Sequence, residues 1–273
     1  MSKKPEIAVI ISTYNSVEWL KKTLWGYAYQ SYPDFELIIA DDGSNEITRK
    51  VILEFSVFFK RKIIHVWHPD NGFQKSAILN KAIIAATAEY ILMSDGDCIP
   101  KKDFVQTHLD LRKPNYFLSG GYLKLPMDIS HKIDKNDIES GLCFDVTWLE
   151  SQGLKKSFKN KKLSAKIFER KILNFITPTN ASWNGHNSSG WKKDIIKVNG
   201  FDERMQYGGQ DRELGERLIN SGVKSKQIRY STTCLHLDHE RGYKTPESLS
   251  KNAKIREKTR QEKLVFTPFG INK

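Results

Sequence analysis

No run in this 273-residue chain approaches the roughly 18 apolar residues of a spanning helix, so no segment is expected to cross a bilayer. Its opening, Met1–Glu6, is charged and passes into an apolar stretch without the apolar region of a signal peptide, which predicts a cytoplasmic protein. Cysteine is scarce. Cys98, Cys143 and Cys234 are odd in number, widely spaced and without a Cys-x-x-Cys pair, which fits reduced thiols. No Gly-x-Gly-x-x-Gly and no Walker loop occurs, which argues against a Rossmann dinucleotide site or a P-loop phosphate cradle. Acid is short of base, with 32 Asp and Glu against 44 Lys and Arg and a net charge of +12. Such an excess favours an anionic partner: phosphates, a nucleic acid or an acidic membrane surface.

What is present is an alternation of short apolar runs and amphipathic stretches, the pattern of βαβ units and a largely parallel sheet. Ile7–Ile11, Phe35–Ala40, Ile63–Trp67 and Glu89–Met93 read as strands, and Val17–Tyr29, Ile47–Lys60 and Lys75–Ala86 as the helices between them. Each strand runs into a polar loop: Ser12-Thr13-Tyr14-Asn15, Asp41-Asp42-Gly43-Ser44, Pro69-Asp70-Asn71-Gly72 and Ser94-Asp95-Gly96-Asp97. Four such loops in register after parallel strands form the rim of a binding site, because open α/β sheets take ligands at their carboxyl ends.

Asp95 and Asp97 are the most informative pair. Two carboxylates so close repel each other, and the arrangement becomes favourable when a hard divalent cation bridges them to a diphosphate. Taken alone, Asp-Gly-Asp also reads as a solvated turn. Asp41 or Asp42 can accept from a base imide or ribose hydroxyls, while Thr13, Tyr14 and the adjoining Asn15 supply polar groups and an aromatic wall. The plain alternative is a turn leading into the helix at Ile47, capped by Ser44 or Asn45.

A second block runs from Trp191 to His239. Tyr207-Gly208-Gly209-Gln210-Asp211 opens a helix, and paired glycines let a backbone approach a ligand closely. An acid in the first helical turn is also what simple capping places there. Ile228–Leu235 reads as a strand ending at His236-Leu237-Asp238-His239. On an extended segment positions i and i+3 face opposite ways, so one histidine is expected to point at a metal. The polar stretch 180–191, ending at Trp191, is expected to line a sugar pocket. Lys155, Lys156, Lys159, Lys161, Lys162, Lys166, Arg170 and Lys171 surround an apolar stripe within 154–173, which reads as a membrane-surface helix, as a solvated helix packed on the domain, or as a loop over the active site. The stretch 246–273 reads as a basic tail with a helix at Lys251–Lys263.

Ser-Thr-Tyr-Asn after the first strand, the Asp-Asp-Gly-Ser turn, the Asn-Gly-Phe-Gln-x-x-Ala-x-x-Asn helix and Asp-Gly-Asp-Cys-Ile-Pro together resemble family 2 glycosyltransferases. The Tyr207–Asp211 block resembles the acceptor motif of that family and of beta-1,4-galactosyltransferases. The resemblance runs from about Ile7 to His239 and implies an α/β fold of the GT-A type: one domain over 1–245, with a nucleotide-binding half at 1–100 and an acceptor-binding half at 101–245. It implies base and ribose contacts from Thr13, Tyr14 and Asp41, with Asp95 by the ribose and metal. Metal ligation is implied for Asp97, with His239 favoured and His236 second. By the same likeness Tyr207, Gly208, Gly209 and Gln210 face an acceptor sugar, and Asp211 is the catalytic base. Two departures stand out. Leu79 occupies the place of the arginine that usually helps the donor bind, for which Lys75 can substitute, and Gln210 replaces the usual Glu.

A carboxylate, an imidazole and diphosphate oxygens make a mixed shell that suits Mn²⁺, with Mg²⁺ as the alternative. The expected activity is inverting transfer of a hexose or N-acetylhexosamine from a UDP-sugar to a glycan or lipid-linked oligosaccharide in bacterial surface polysaccharide or lipopolysaccharide synthesis. The expected location is cytoplasmic, peripheral on the inner face of the plasma membrane, with no nucleic-acid partner. A sugar-phosphate nucleotidyltransferase would need a Gly-rich, Arg/Lys-bearing loop after the first strand, and Ser12–Ser16 has none. A non-catalytic basic module for RNA or membrane would leave Asp41, Asp97, Asp211 and His239 as coincidences.

Overall fold

The computed structural model describes residues 4–240 and 243–272. Met1–Lys3 and Lys273, which belong to the readings of the two termini, lie outside the described residues.

Among the described residues ten strands follow one another: β1 (Ile7–Thr13), β2 (Glu36–Asp41), β3 (Ile64–Trp67), β4 (Tyr90–Asp95), β5 (Cys98–Pro100), β6 (Tyr116–Ser119), β7 (Gly121–Lys124), β8 (Ser188–Trp191), β9 (Lys224–Gln227) and β10 (Thr233–His236). Seven form a sheet in the order β3-β2-β1-β4-β8-β6-β9, and β5-β10-β7 form a second, smaller one. β3, β2, β1 and β4 run parallel, as the alternation predicted, and the helices Val17–Ala28, Glu46–Phe55 and Lys75–Ala85 connect them. Apolar clusters cover both faces of the large sheet. Ile7, Val9 and Ile11 pack with Leu20 and Leu24 on one side, and Ala8 and Ile10 with Ile78 and Ala82 on the other. This is why the strands read as continuous apolar runs: a strand buried on both faces cannot alternate.

Register fixes the site. Ser12 pairs with Asp95 and Thr13 with Asp41, so three loop-bearing strand ends finish level. β8 enters antiparallel, with Ser188 beside Met93 and Trp191 beside Tyr90. The loop before β8 therefore comes to the rim, whereas Trp191 lies at the opposite end of the sheet.

The second half departs from the sequence expectation in three places. The stretch read as one strand from Ile228 to Leu235 is a turn at 228–232 followed by β10, with β9 ending just before it. The stretch 154–173 is not one helix. A short helix, Lys161–Ser164, stops where Ala165 turns extended, and a second begins at Ile167 and ends at Ile176. The segment after 245 is helical over Pro246–Gln261 and packs against the helix Gln210–Asn220, where Thr259 Oγ1 donates to Glu213 at 2.9 Å. Among the described residues no helix is long and apolar enough to cross a membrane.

Candidate functional site

At the end of β4, Ser12 Oγ and Lys75 Nζ both donate to Asp95 Oδ1, at 2.8 and 2.7 Å. Lys75 opens its helix, where unpaired amides face the same way, yet it is far from a solvated surface lysine. Burial works against its charge, but Asp95, Asp211 and Asp97 around it hold the ammonium well above its usual range. One cation thus gathers carboxylates from both halves of the chain. Leu79, one turn on, is buried in the core and offers the cleft nothing.

Asp97 forms a separate knot. Its Oδ2 lies 2.9 Å from His239 Nε2 and 3.8 Å from His236 Nε2. Burial alone would raise this carboxyl, but the two rings and the Cys98 thiol hold it well below the usual range. Both histidines reach it, contrary to the extended-strand expectation. The reason is that β10 ends at His236 and the chain then turns, bringing the two rings nearly parallel with centroids 5.9 Å apart. Arg241, two residues after His239, lies outside the described residues.

These donors suit a divalent cation. His236 Nδ1 faces the Leu237 carbonyl at 3.0 Å and His239 Nδ1 the Glu240 carbonyl at 2.8 Å, so each Nδ1 donates and each Nε2 is turned toward Asp97. At 2.9 Å the His239 Nε2 contact with the carboxylate is a hydrogen bond, and the same edge, unprotonated, can instead serve a cation held beside Asp97. Asp97, Cys98 and His236 place ligand atoms within 4.8 Å of one another, but burial raises the Cys98 thiol far above its normal range. It donates to Asp97 Oδ1 at 3.3 Å, so the oxygen and nitrogen donors are the ones left for a hard ion.

Asp211 stands at the start of the helix Gln210–Asn220, behind Gly208 and Gly209, whose φ of +109° and +87° form a turn open to glycine. The Gly185 amide hydrogen-bonds its carboxylate, and Oδ1 is buried with no hydrogen-bond partner among the described residues. Burial pushes this carboxyl up to about 6, with Lys75 pulling the other way. A carboxylate poised there is ionised at neutral pH yet basic enough to take a proton.

Other expected residues fall into place unevenly. Thr13 Oγ1 is buried and unpaired among the described residues, while half-exposed Tyr14 donates its hydroxyl to Asp70 at 2.7 Å. Asn15 clasps the neighbouring loop, its Oδ1 accepting from Asn45 N at 3.0 Å. Asp41 is fully buried, with Oδ1 on the Ser44 amide and Oδ2 on His65. Asp42 is likewise engaged by His68 and the Gln74 amide. Both carboxylates thereby hold loop shape, and a ligand would have to exchange with those partners. Gln210 is buried, and its Oε1 accepts from Gly208 N at 3.0 Å, fastening the glycine turn. Trp191 is a correction, since it packs on Tyr90 and donates to the Lys113 carbonyl, far from the strand ends that carry the carboxylates.

Tyr207 does face an aromatic group, with Phe73 at 5.9 Å and Tyr243 at 4.9 Å between ring centroids. Sequence reasoning passed over Tyr243 and Tyr122, and took in Phe73 and His186 only as members of a motif and of the polar stretch 180–191. His186 is driven down to about 4 by burial and is therefore neutral, with its ring 4.4 Å from Tyr122 and 6.3 Å from His236. These four come from loops and an edge strand without periodic signal.

Comparison with known proteins agrees with this layout. Residues 8–118 match the model of glycosyl transferase family 2, and residues 177–240 match that of the N-terminal domain of galactosyltransferase. Chondroitin synthase of Escherichia coli is 27% identical over 236 residues, covering 81% of this chain and 33% of that protein. Validoxylamine A glucosyltransferase of Streptomyces hygroscopicus subsp. jinggangensis is 26% identical over 253 residues, covering 88% and 57%. The chain thus spans from a third to just over half the length of these two relatives. Among solved structures, S. aureus TarS 1-349 in complex with UDP-GlcNAc superposes with a TM-score of 0.59 at 16% identity, over 92% of this chain and 65% of that one. The mannosyltransferase PcManGT from Pyrobaculum calidifontis, in complex with GDP-Man and Mn²⁺, gives 0.57 at 17%, over 89% and 59%. At such identities the likeness is one of fold, and it joins the two sequence matches to the cleft just described: the chain has a GT-A fold whose first half is similar to glycosyl transferase family 2 and whose second half is similar to the N-terminal domain of galactosyltransferase.

Proposed function

We propose that the chain transfers a hexose or N-acetylhexosamine from a UDP-sugar to a hydroxyl of a glycan or lipid-linked oligosaccharide, with inversion, in bacterial surface-polysaccharide assembly. The observation that carries this reading is the cluster in which Lys75 is held by Asp95, Asp97 and Asp211, because it joins the nucleotide side of the cleft to a poised base. In this reading 1–100 holds the nucleotide and 101–245 the acceptor, at a cytoplasmic, membrane-proximal site.

Asp211 removes the proton from the acceptor hydroxyl as that oxygen attacks the anomeric carbon. The bond from that carbon to the diphosphate breaks on the opposite face, and UDP leaves with the electron pair. Gly185 N–H orients the carboxylate, and Lys75 sets positive charge beside Asp95 where the donor's phosphates would lie. Tyr207, with Phe73 and Tyr243, offers an aromatic wall to a sugar face. Asp97, His239 and His236, with Asp95 nearby, would hold Mn²⁺ or Mg²⁺, whose chemistry there is to neutralise charge on the leaving diphosphate. Relatives support the donor class: TarS is seen with UDP-GlcNAc, and PcManGT with GDP-Man and Mn²⁺.

The test is nucleotide release from a panel of UDP- and GDP-sugars with Mn²⁺ and candidate glycans. UDP formation that depends on acceptor, and that Asp211→Asn abolishes, is expected. Release of pyrophosphate, or undiminished turnover in Asp211→Asn, would overturn the reading.

A further inference from the structure

The helix Ile167–Ile176 is mounted inside out. Residues three and four apart share a helical face. Glu169, Arg170, Leu173 and Asn174 make the half-buried side, and Asn174 ties it down by accepting from Tyr230 N and donating to Ser231 Oγ, both at 2.9 Å. The outward side is Ile167, Phe168, Ile172, Phe175 and Ile176, interrupted only by Lys171. Phe168 is 74% exposed and Phe175 90%. Phe158, just upstream, is 67% exposed as well. An amphipathic helix packed on its own protein would bury this stripe, each such side chain being worth roughly 1.5–3 kcal/mol.

Around the stripe stand exposed Lys155, Lys156, Lys159, Lys161, Lys166 and Lys171. The one acid in the helix, Glu169, accepts from the Lys166 amide at 2.8 Å on the inward side. Apolar rings inside a basic collar complement an anionic lipid surface, with the rings entering the acyl boundary and the ammonium groups meeting headgroups. A second copy of this chain is a poorer match. It would bring the same collar and a net charge of +12 against itself, over one short helix where a stable dimer needs about 800 Å² per partner.

From these observations we infer that the outward face of Ile167–Ile176, with its lysine collar, docks the protein on an anionic bilayer. This deepens the membrane-proximal setting of the proposed function but rests on its own geometry. The helix also neighbours the cleft. Lys162, in the preceding short helix, donates to the Tyr122 carbonyl at 2.8 Å, and the Tyr122 ring touches His186 and His236. Docking would set the metal-binding rim near the lipid surface, where a lipid-linked acceptor is presented.

The experiment is co-sedimentation of the chain with vesicles of pure phosphatidylcholine or of 7:3 phosphatidylcholine:phosphatidylglycerol, without nucleotide sugar. Binding to the anionic vesicles alone, falling steeply as salt shortens the screening length, is expected. Phe168→Ser with Phe175→Ser should weaken it by about tenfold or more while melting temperature stays level, since both rings face solvent. Phe175→Trp should show an emission blue shift on those vesicles. Equal sedimentation of the double variant, no blue shift, or a vesicle-indifferent dimer that the double variant converts to monomer would each overturn the inference. Because no step uses donor or acceptor, loss of transfer activity and loss of docking are read separately.

Discussion

Asp211, the proposed base, is costly to the fold. Its folded pKa is about 6, above the ordinary 3.8, so the native state holds the proton more tightly than the unfolded chain does. Its stability is therefore greatest below about pH 4, falls as pH rises toward 6, and stays reduced above that by on the order of 2–3 kcal/mol. Asp211→Asn should lose about two to four orders of magnitude in turnover and yet melt at a higher temperature than wild type at pH 7.5, with the gap narrowing at pH 4.5. Wild-type turnover should rise with an inflection near pH 6, the pH at which this buried carboxyl ionises. A lower melting temperature for the variant at pH 7.5 would mean that burial does not strain this carboxylate. Asp97 predicts a different response. Asp97→Ala removes the carboxylate that both imidazole rings face, so Mn²⁺-dependent donor binding by calorimetry should vanish, whereas unchanged affinity would remove Asp97 from the ligand set.

At the scale of elements, strand ends and loops hold the active groups level, and small residues let them approach. A Cβ on Gly185 would lie 3.0 Å from Asp211 Oδ1 and 3.1 Å from Oδ2, so Gly185→Ala should displace the carboxylate and lower kcat about tenfold or more while donor affinity stays put. Equal loss of donor affinity would show that the loop shapes the nucleotide side instead. This scale also marks where sequence legibility stopped. The parallel strands were readable because burial on both faces writes continuous apolar runs, and the Asp95 and Asp97 loop followed from where such a strand must end. Trp191 was misplaced because β8 runs backwards through the sheet, which reverses which end meets the cleft. His236 and His239 were separated by assuming that the strand continued, when β10 is only four residues long. The apolar stripe within 154–173 was visible as periodicity, but periodicity does not say which side of a helix the rest of the protein occupies.

At the scale of the whole molecule, the two halves and the C-terminal helix interlock behind the cleft. Ser76 Oγ donates to the Met205 carbonyl, and Asn80 binds Phe201 through both its amide groups, so the helix that carries Lys75 is stitched to the turn preceding Tyr207. From the other side, Asn252 Nδ2 reaches the carbonyls of Gln206, Tyr207 and Gly208, at 3.0, 3.1 and 2.9 Å. Three carbonyls at the base of the glycine turn thus share one amide from the C-terminal segment, the Tyr207 carbonyl also accepting from Ser248 Oγ at 3.3 Å. Asn252→Ala removes that donor, a cost of about 0.5–1.5 kcal/mol to the local structure. Because the clamp grips the Tyr207–Gly208 turn, the acceptor side should suffer: acceptor KM should rise several-fold. Donor affinity should hold, since Lys75 keeps its contact with Asp95, and Asp97 its contacts with His236 and His239. Steady-state kinetics with donor and acceptor varied in turn separate these effects, and Asn252→Asp, which cannot donate to the three carbonyls, should reproduce the defect. If donor KM rises instead and acceptor KM does not, the C-terminal helix supports the nucleotide half and the clamp has no specific hold on the acceptor turn.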